Sequence, residues 1–394
     1  MDFNFSPEEE AFRQEVRTWL QQNLPQDFDP EKIDAIDLEA RFDFQRAWQK
    51  KAHEGGWVGI HWPQEYGGRG ASLMEMFIFN QELAKGRAPR YANTLGLIMS
   101  GPTIIHWGTE EQKKRYLPKI LSGEEIWCEG LSEPNAGSDL ASMQTRAIED
   151  GDYFVVNGQK VWTSYAHRAN YIQLFVRTDP DAPKHRGISC LIVDMKTPGI
   201  TVRPLVQITG DAEFNEVFFE DVRVPKTNLL GPKDEGWKVL VTTLMHERAG
   251  IGSDLPVHRH LTELIRLCQV FEINGQPASK DPAVRQKLAQ FATESKAITY
   301  NMFRSFSKRL KGNPPGPEGS INKLFGSDLN MRIAQFATEL LGPYAQVVHG
   351  SPYTVDHGRW PRAALWYRLL TIGGGTSEIQ RGILGDRVLG LPKG

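Results

Sequence analysis

Apolar positions at helical spacing open the chain: Phe12, Val16, Trp19 and Leu20 share one face behind Ser6-Pro7-Glu8-Glu9. In that tetrapeptide an N-cap serine, a proline at the first helical position and a glutamate three residues after the serine form a capping box. The same spacing predicts helices over 38–55 and over 73–85, where Met76, Phe77, Asn80, Leu83 and Ala84 divide between faces. Residues 57–70, rich in glycine, proline and aromatics, read as a packed loop between those helices. A further helix pair ends near Leu121-Ser122-Gly123, so residues 1–125 form a helical N-terminal domain.

The period then changes from 3.6 to 2. A strand-like run covers 127–131, and β-rich runs over 153–156 and 159–163 flank Asn157-Gly158, the strongest short hairpin signal. Runs over 171–177, 187–194, 200–204 and 216–224 continue as strands between turns bearing proline or glycine. Six or so strands within about 100 residues predict a small barrel or sandwich over 126–234. From Glu235 to the end at 394 the helical period returns, broken by polar loops at 273–282 and 312–319. The fold class is therefore α+β multidomain, with a β-barrel-like middle domain between two helical ones.

Composition removes several functions. At 394 residues the chain is too long for one ordinary core, and a net charge of -2 leaves no polybasic surface for nucleic acid. Cys128, Cys190 and Cys268 stand far apart with no C-x-x-C spacing, which fits a reducing compartment, with the cytoplasm as default, and argues against zinc. No apolar run of about 18 residues is present to span a bilayer. The start, Met1-Asp2-Phe3-Asn4-Phe5, has no signal-peptide character and reads as unprocessed. The chain contains no G-x-G-x-x-G turn, phosphate loop, H-E-x-x-H or nucleophile elbow. His258-Arg259-His260, the one close histidine pair, reads as exposed helix residues and not as a metal site.

Three stretches carry chemistry. In Ser132-Glu133-Pro134-Asn135-Ala136-Gly137-Ser138-Asp139 a polar corner and small residues let backbone approach a ligand: Pro134 fixes φ and Gly137 permits conformations a Cβ forbids. On composition alone it is an ordinary turn. Lys160-Val161-Trp162-Thr163-Ser164 places a tryptophan in a strand, as core or as a ligand platform. Near the end, Thr371-Ile372-Gly373-Gly374-Gly375-Thr376-Ser377-Glu378-Ile379-Gln380-Arg381 leads a glycine loop into a helix. Ser377 with Gln380 reads there as a second capping box, at an N-terminus whose free N–H groups favour electron-rich ligand atoms.

These stretches, with Val388-Leu389-Gly390 at the tail, resemble the acyl-CoA dehydrogenase motifs [TS]-E-P-x-A-G-S-D, K-x-W-x-[TS] and G-T-S-x-I-Q-R…V-L-G, in the same order over nearly the whole chain. The resemblance implies a C-terminal four-helix bundle and FAD as cofactor. Ser132 would meet the flavin N5/O4 edge, Trp162 would stack near the isoalloxazine with Thr163 or Ser164 hydrogen-bonding it, and Thr376 and Glu378 would complete the FAD contacts. Ser138 and Arg248 would touch the acyl-CoA substrate. It further implies α,β-dehydrogenation to a trans-2-enoyl-CoA with hydride passing to flavin N5, an electron-transfer flavoprotein as acceptor, and a dimer or tetramer.

Two departures stand out. Many members carry the catalytic glutamate where this chain has Gly374. A replacement lies on the helix at 237–251, where Leu240, Leu244, Glu247 and Ile251 form one stripe and put a carboxylate on an apolar face, an environment that raises its pKa toward that of a base. Glu247-Arg248 is similar to the Glu-Arg pair of the branch that includes isovaleryl-CoA dehydrogenase, so Glu247 would take the α-proton. The Gly374 N–H, with the flavin ribityl hydroxyl, would stabilise the thioester oxygen. Secondly, the family's Arg-x-x-Phe-Gly and Ile-Leu-Gly-Gly-x-Gly stretches, which grip the FAD of a neighbouring subunit, are replaced by residues 268–275 and 340–345. Arg285 in a homo-oligomer, or a homologous partner chain, would supply the missing arginine. Two alternatives stay open: a flavin oxidase or monooxygenase on this scaffold, and a non-catalytic subunit of a heteromeric dehydrogenase.

Overall fold

The computed structural model describes residues 5–25, 38–248, 256–313, 316–347 and 350–392, with the side chains of Glu247, Arg248, Pro256 and Val257 outside the description. Helices α1 (Pro7–Asn23), α2 (Leu38–Glu54), α3 (Leu73–Lys85), α4 (Gly101–Trp107) and α5 (Glu110–Ser122) come first. Strands β1 (Trp127–Gly130), β2 (Arg146–Asp150), β3 (Tyr153–Ser164), β4 (Tyr171–Arg177), β5 (Ile188–Asp194), β6 (Ile200–Leu205) and β7 (Phe214–Pro225) follow. Then come α6 (Gly236–Arg248), α7 (Pro256–Val270), a small hairpin of β8 (Glu272–Ile273) and β9 (Gln276–Pro277), α8 (Pro282–Leu310), α9 (Gly319–Leu341), α10 (Arg359–Trp366) and α11 (Ser377–Ile383). The chain gathers into two compact units, one of Asp37–Ser72 and Pro89–Gly250, the other of Met1–Ile36, Leu73–Ala88 and Ile251–Gly394. Among the described residues no helix is long and apolar enough to cross a membrane, and no cluster of metal-ligating side chains occurs.

The first unit is built on one curled seven-stranded sheet in the order β1-β4-β2-β3-β7-β6, with β5 also paired to β4. Phe154, Val156, Ile172, Leu174, Leu191, Val193, Val217 and Val222 fill its core. The Asn157-Gly158 hairpin expected from the sequence is not there. Both residues lie inside β3, where the pairing with β7 slips between Val156 and Gly158. The Asn157 side chain fills the slip, donating from Nδ2 to Asp221 Oδ1 at 3.0 Å and accepting the Asp221 N–H at 3.0 Å. Gly158 is required at this bulge, because a Cβ would stand 2.7 Å from the Cα of Thr145. The chain reverses earlier, at the Gly151-Asp152 turn between β2 and β3. Buried polar groups join the helices to the sheet: Asn93 donates to the carbonyls of Ile120 and Glu125 and accepts the Trp127 N–H at 2.9 Å.

In the second unit α7, α8, α9 and α10 share a core of Leu264, Cys268, Phe291, Ile298, Leu329, Ile333 and Trp360, the expected four-helix bundle. His260 is not an exposed helix residue: it is buried between Asn330 Oδ1, 2.7 Å from its Nδ1, and the Tyr367 hydroxyl. Burial brings its pKa down to about 4, so it is a neutral core group. The capping box at the start of α1 is present with Ser6 and Glu9 in their expected roles. The sequence pattern gave no sign of the anchor between α1 and α3. There Glu82, 3% exposed, accepts from Arg13 at 2.9 Å, Arg17 at 3.0 Å and Lys85 at 3.2 Å.

Burial alone would raise the Glu82 carboxyl, but hydrogen bonds from Arg17, Arg13 and Lys85 outweigh it and bring its pKa down from 4.5 to about 2. A carboxyl depressed in the folded state stabilises that state above its unfolded pKa and loses the contribution as pH falls through the folded one. Glu82→Gln is therefore expected to cost about 3–5 kcal/mol at neutral pH, because it leaves the buried Arg13 cation with only the exposed Glu10 carboxylate as counter-charge. In urea melts the gap between wild type and variant is expected to close as the pH drops from about 4.5 toward 2.

Candidate active site

The loop after β1 is held by a charge pair inside the sheet unit. The Lys160 ammonium, fully buried on β3, donates to Glu133 Oε1 at 2.8 Å and to the Leu131 carbonyl at 3.1 Å. Glu133 also accepts the backbone N–H groups of Gln144 at 2.7 Å and Thr145 at 2.9 Å. Burial raises the Glu133 carboxyl, but the Lys160 charge and these hydrogen bonds more than reverse it, so it sits below the usual carboxylate range. Burial pushes Lys160 down, and the Glu133 charge offsets part of that. The loop turns tightly over Pro134 and Asn135, with Glu133 and Ala136 exchanging backbone hydrogen bonds of 3.0 Å each way. Gly137 is exposed and a Cβ there would meet nothing within 4 Å, so the expected need for glycine at that position is not borne out.

This anchoring fixes Ser132, half-buried, beside β3: its carbonyl accepts the Val161 N–H at 2.9 Å. The next residue on that strand breaks the β geometry. Trp162 has φ of 61°, the β3–β7 register shifts between Lys160 and Thr163, and the indole is 60% exposed, edge-on to Phe214. A bulky residue in the left-handed region is strained, and such strain persists where surrounding contacts enforce it. Asn215 is one such contact: buried on β7, it donates from Nδ2 to the carbonyls of Thr163 at 2.9 Å and Glu213 at 3.1 Å. Trp162 thus projects outward and is not core. Its two hydroxyl neighbours separate: Thr163 is 1% exposed with Oγ1 turned inward and unpartnered, whereas Ser164 is half-buried. Ser138 lies exposed on the first loop, next to Asp139, which pairs with Lys184.

Helix α6 leans on the same sheet through a buried polar contact. Gln173 on β4 donates to the Thr243 hydroxyl at 3.0 Å, and Thr103 on α4 lies 2.9 Å from it. Leu240, one turn earlier, is fully buried. The backbone of Glu247 and Arg248 completes the last turn of α6, while their side chains and Ile251 lie outside the described residues.

In the helical unit the glycine loop is delivered onto α11, with one correction. Thr376, not Ser377, is the N-cap: its Oγ1 accepts the Ile379 N–H at 3.2 Å, and Gln380 turns back instead to the carbonyls of Gly374 and Gly375. Threonine takes the role because its carbonyl already receives the Gln380 N–H that starts the helix. Gly374 and Glu378 are exposed, and Glu378 pairs with Arg381 at 3.3 Å. Arg285 stands exposed in the first turn of α8.

Removing one partner of the Lys160–Glu133 pair leaves a buried charge. Lys160→Met is expected to destabilise the protein by about 3–5 kcal/mol in denaturant melts, and pairing it with Glu133→Gln is expected to recover much of that loss. The double variant, with its first loop tied to β3 only through the Val161 N–H and the Ser132 carbonyl, is expected to fold yet hold flavin poorly on gel filtration.

Residues 6–124, 128–222 and 234–389 match, in turn, the N-terminal, middle and C-terminal domains of acyl-CoA dehydrogenase. Acyl-CoA dehydrogenase IpdE1 of Mycobacterium tuberculosis is 38% identical over 393 residues, 98% of either chain. A chain of the ChsE4-ChsE5 complex from the same organism matches with a TM-score of 0.86 at 34% identity, covering all of both chains. A chain of the Tcur3481-Tcur3483 steroid ACAD matches equally well, with a TM-score of 0.86 at 31% identity over the full length of both. With all three domains present in order and the fold shared end to end, the chain belongs to the acyl-CoA dehydrogenases, FAD-dependent oxidoreductases that act on CH–CH groups.

Proposed function

We propose that this chain oxidises a bulky acyl-CoA thioester to its trans-2-enoyl-CoA, with Glu247 as the base. The observation that carries the reading is Trp162, an exposed indole held on a strained left-handed backbone beside a loop locked by a buried ion pair. An apolar ring presented this way fits a flavin face. Ser132 and Ser164, both half-buried, donate to its polar edge in this reading, and Thr163 contributes through its backbone, since its hydroxyl is turned inward. Thr376 and Glu378 hold the cofactor from the start of α11. When bound, FAD supplies the acceptor for the hydrogen lost from the β-carbon.

The remaining work falls to the chain's own groups. Glu247 removes the α-proton, Arg248 orients the substrate, and Ser138 sits along the CoA arm. The Gly374 N–H donates to the thioester oxygen as negative charge develops on it, a role that needs no side chain. Gly373-Gly374-Gly375 leaves no bulk beside the acyl group, which favours branched, cyclic or dicarboxylic substrates. The steroid ACAD named above supports a large ring-bearing acyl group. An electron-transfer flavoprotein is the proposed acceptor. A homo-oligomer is proposed first, with Arg285 on the FAD pyrophosphate. A homologous partner chain is the second reading, favoured by the relative described as a ChsE4-ChsE5 complex.

Anaerobic titration of the FAD-loaded protein with acyl-CoAs of increasing bulk is expected to bleach the flavin. Glu247→Gln is expected to keep the cofactor and slow the bleaching by about 10²–10⁴-fold. Bleaching at the wild-type rate would place the base elsewhere; none by any acyl-CoA would favour an oxidase or a non-catalytic subunit. One FAD per chain, retained when the protein is expressed alone, would rule out an obligate partner.

A further inference from the structure

Three consecutive glycines make 373–375 the least constrained backbone near the C-terminus, and Gly374 and Gly375 take φ of +65° and +88°. A loop of that composition does not by itself hold a peptide N–H in one direction. Its carbonyls, however, are gathered inward. The Lys323 ammonium on α9 donates to the Leu370 carbonyl at 2.7 Å and to the Gly375 carbonyl at 2.8 Å. The Leu370 carbonyl lies three residues before the glycine run and the Gly375 carbonyl belongs to its last residue, so one side chain spans the turn that contains the loop. Gln380, 1% exposed on α11, adds bonds of 3.1 and 3.3 Å to the carbonyls of Gly374 and Gly375. A Cβ at Gly375 would stand 2.7 Å from the Gln380 amide nitrogen, so the close approach depends on glycine.

The peptide bonds are trans, which sets each N–H opposite the carbonyl of the preceding residue. Tying the carbonyls of Gly374 and Gly375 to Gln380 and Lys323 therefore turns the N–H groups of Gly375 and Thr376 away from the bundle. The Gly373 N–H is in turn held by the Leu369 carbonyl at 2.8 Å, so the peptide that carries the Gly374 N–H lies between two tied ones. Bonds from an ammonium to carbonyls are charge-assisted and stronger than neutral ones.

We propose that Lys323 is a positioning residue for the glycine loop, clamping the backbone on both sides of the peptide whose Gly374 N–H stabilises the thioester oxygen of a bound acyl-CoA. The inference rests on the acyl-CoA reading above, and two measurements separate them. The first is hydrogen exchange in the FAD-loaded protein, read on peptides covering 369–377 without substrate. Lys323→Met, which keeps length but loses the donors, is expected to speed exchange in that segment alone, while Lys323→Arg retains protection. The second uses a 3-thiaacyl-CoA, whose acidic α-proton is lost on the enzyme without net oxidation and whose enolate gives a long-wavelength charge-transfer absorbance with flavin. Loss of one pre-aimed donor is worth about 10²–10³-fold in such sites, so the pH midpoint of that band is expected to rise by about two units in Lys323→Met. The turnover number is expected to fall with KM nearly constant.

Unchanged exchange and an unchanged midpoint in Lys323→Met would overturn the positioning role. No band in the wild type with any 3-thiaacyl-CoA would overturn the acyl-CoA reading instead, and the exchange measurement would still judge the loop. Should Lys323→Met not fold, Lys323→Gln, which reaches less far and carries no charge, gives the same two readouts.

Discussion

A lysine and a glutamate buried together set the geometry of the sheet unit. Lys160 and Glu133 lose several kcal/mol of hydration each, and their mutual attraction returns that only because the remaining donors and acceptors are also used. They are used here: Glu133 takes two backbone N–H groups and Lys160 a carbonyl. The pair is therefore better understood as a fastener than as a source of stability. It binds the exit of β1, the segment before β2 and the middle of β3 at one point, which makes the Ser-Glu-Pro loop and the Lys-x-Trp strand parts of one object. Ser132 and Trp162 hold their positions because the charges between them have nowhere else to go.

Much of this was legible in the chain. Helix α3 was bounded to the residue by its 3.6 periodicity, and the α1 cap by its serine, proline and glutamate, because local chemistry alone decides those features. Strand β4 was likewise bounded to the residue by its β-rich run. The Asn-Gly dipeptide misled because its hairpin preference is a two-residue property, whereas Asn157 and Gly158 are claimed by β7, whose pairing continues on either side. The expected hairpin also put Lys160 on a different strand from Phe154 and Val156, so the shared inward parity of the three, and with it the buried charge, was not legible. Nor was its partner, since 27 residues separate Lys160 from Glu133.

The same limit applies to the candidate site. The bare residues read Trp162 more readily as core; its exposure and left-handed backbone show that it is not, and the bulge responsible exists only through pairing with β7. Thr163 and Ser164 were interchangeable as letters and are distinct in space. The Thr376 cap was misassigned by one residue, the usual error where two hydroxyl residues adjoin at a helix start. Lys323, 52 residues from Gly375, had no local pattern to single it out.

The contact among Gln173, Thr103 and Thr243 carries a consequence for how this chain can vary. A hydrogen bond to a buried hydroxyl fixes not only the distance of α6 from the sheet but also its rotation about its own axis. Position 247 follows Thr243 by four residues, and at 100° per residue it returns to within about 40° of the same direction. The interval is thus a phase. One residue inserted or deleted between the two would swing everything beyond it by about 100° while leaving the helix intact as a helix. For a base at 247, as proposed above, length is therefore fixed inside this single turn of α6, a constraint that concerns how many residues the turn holds and not which ones.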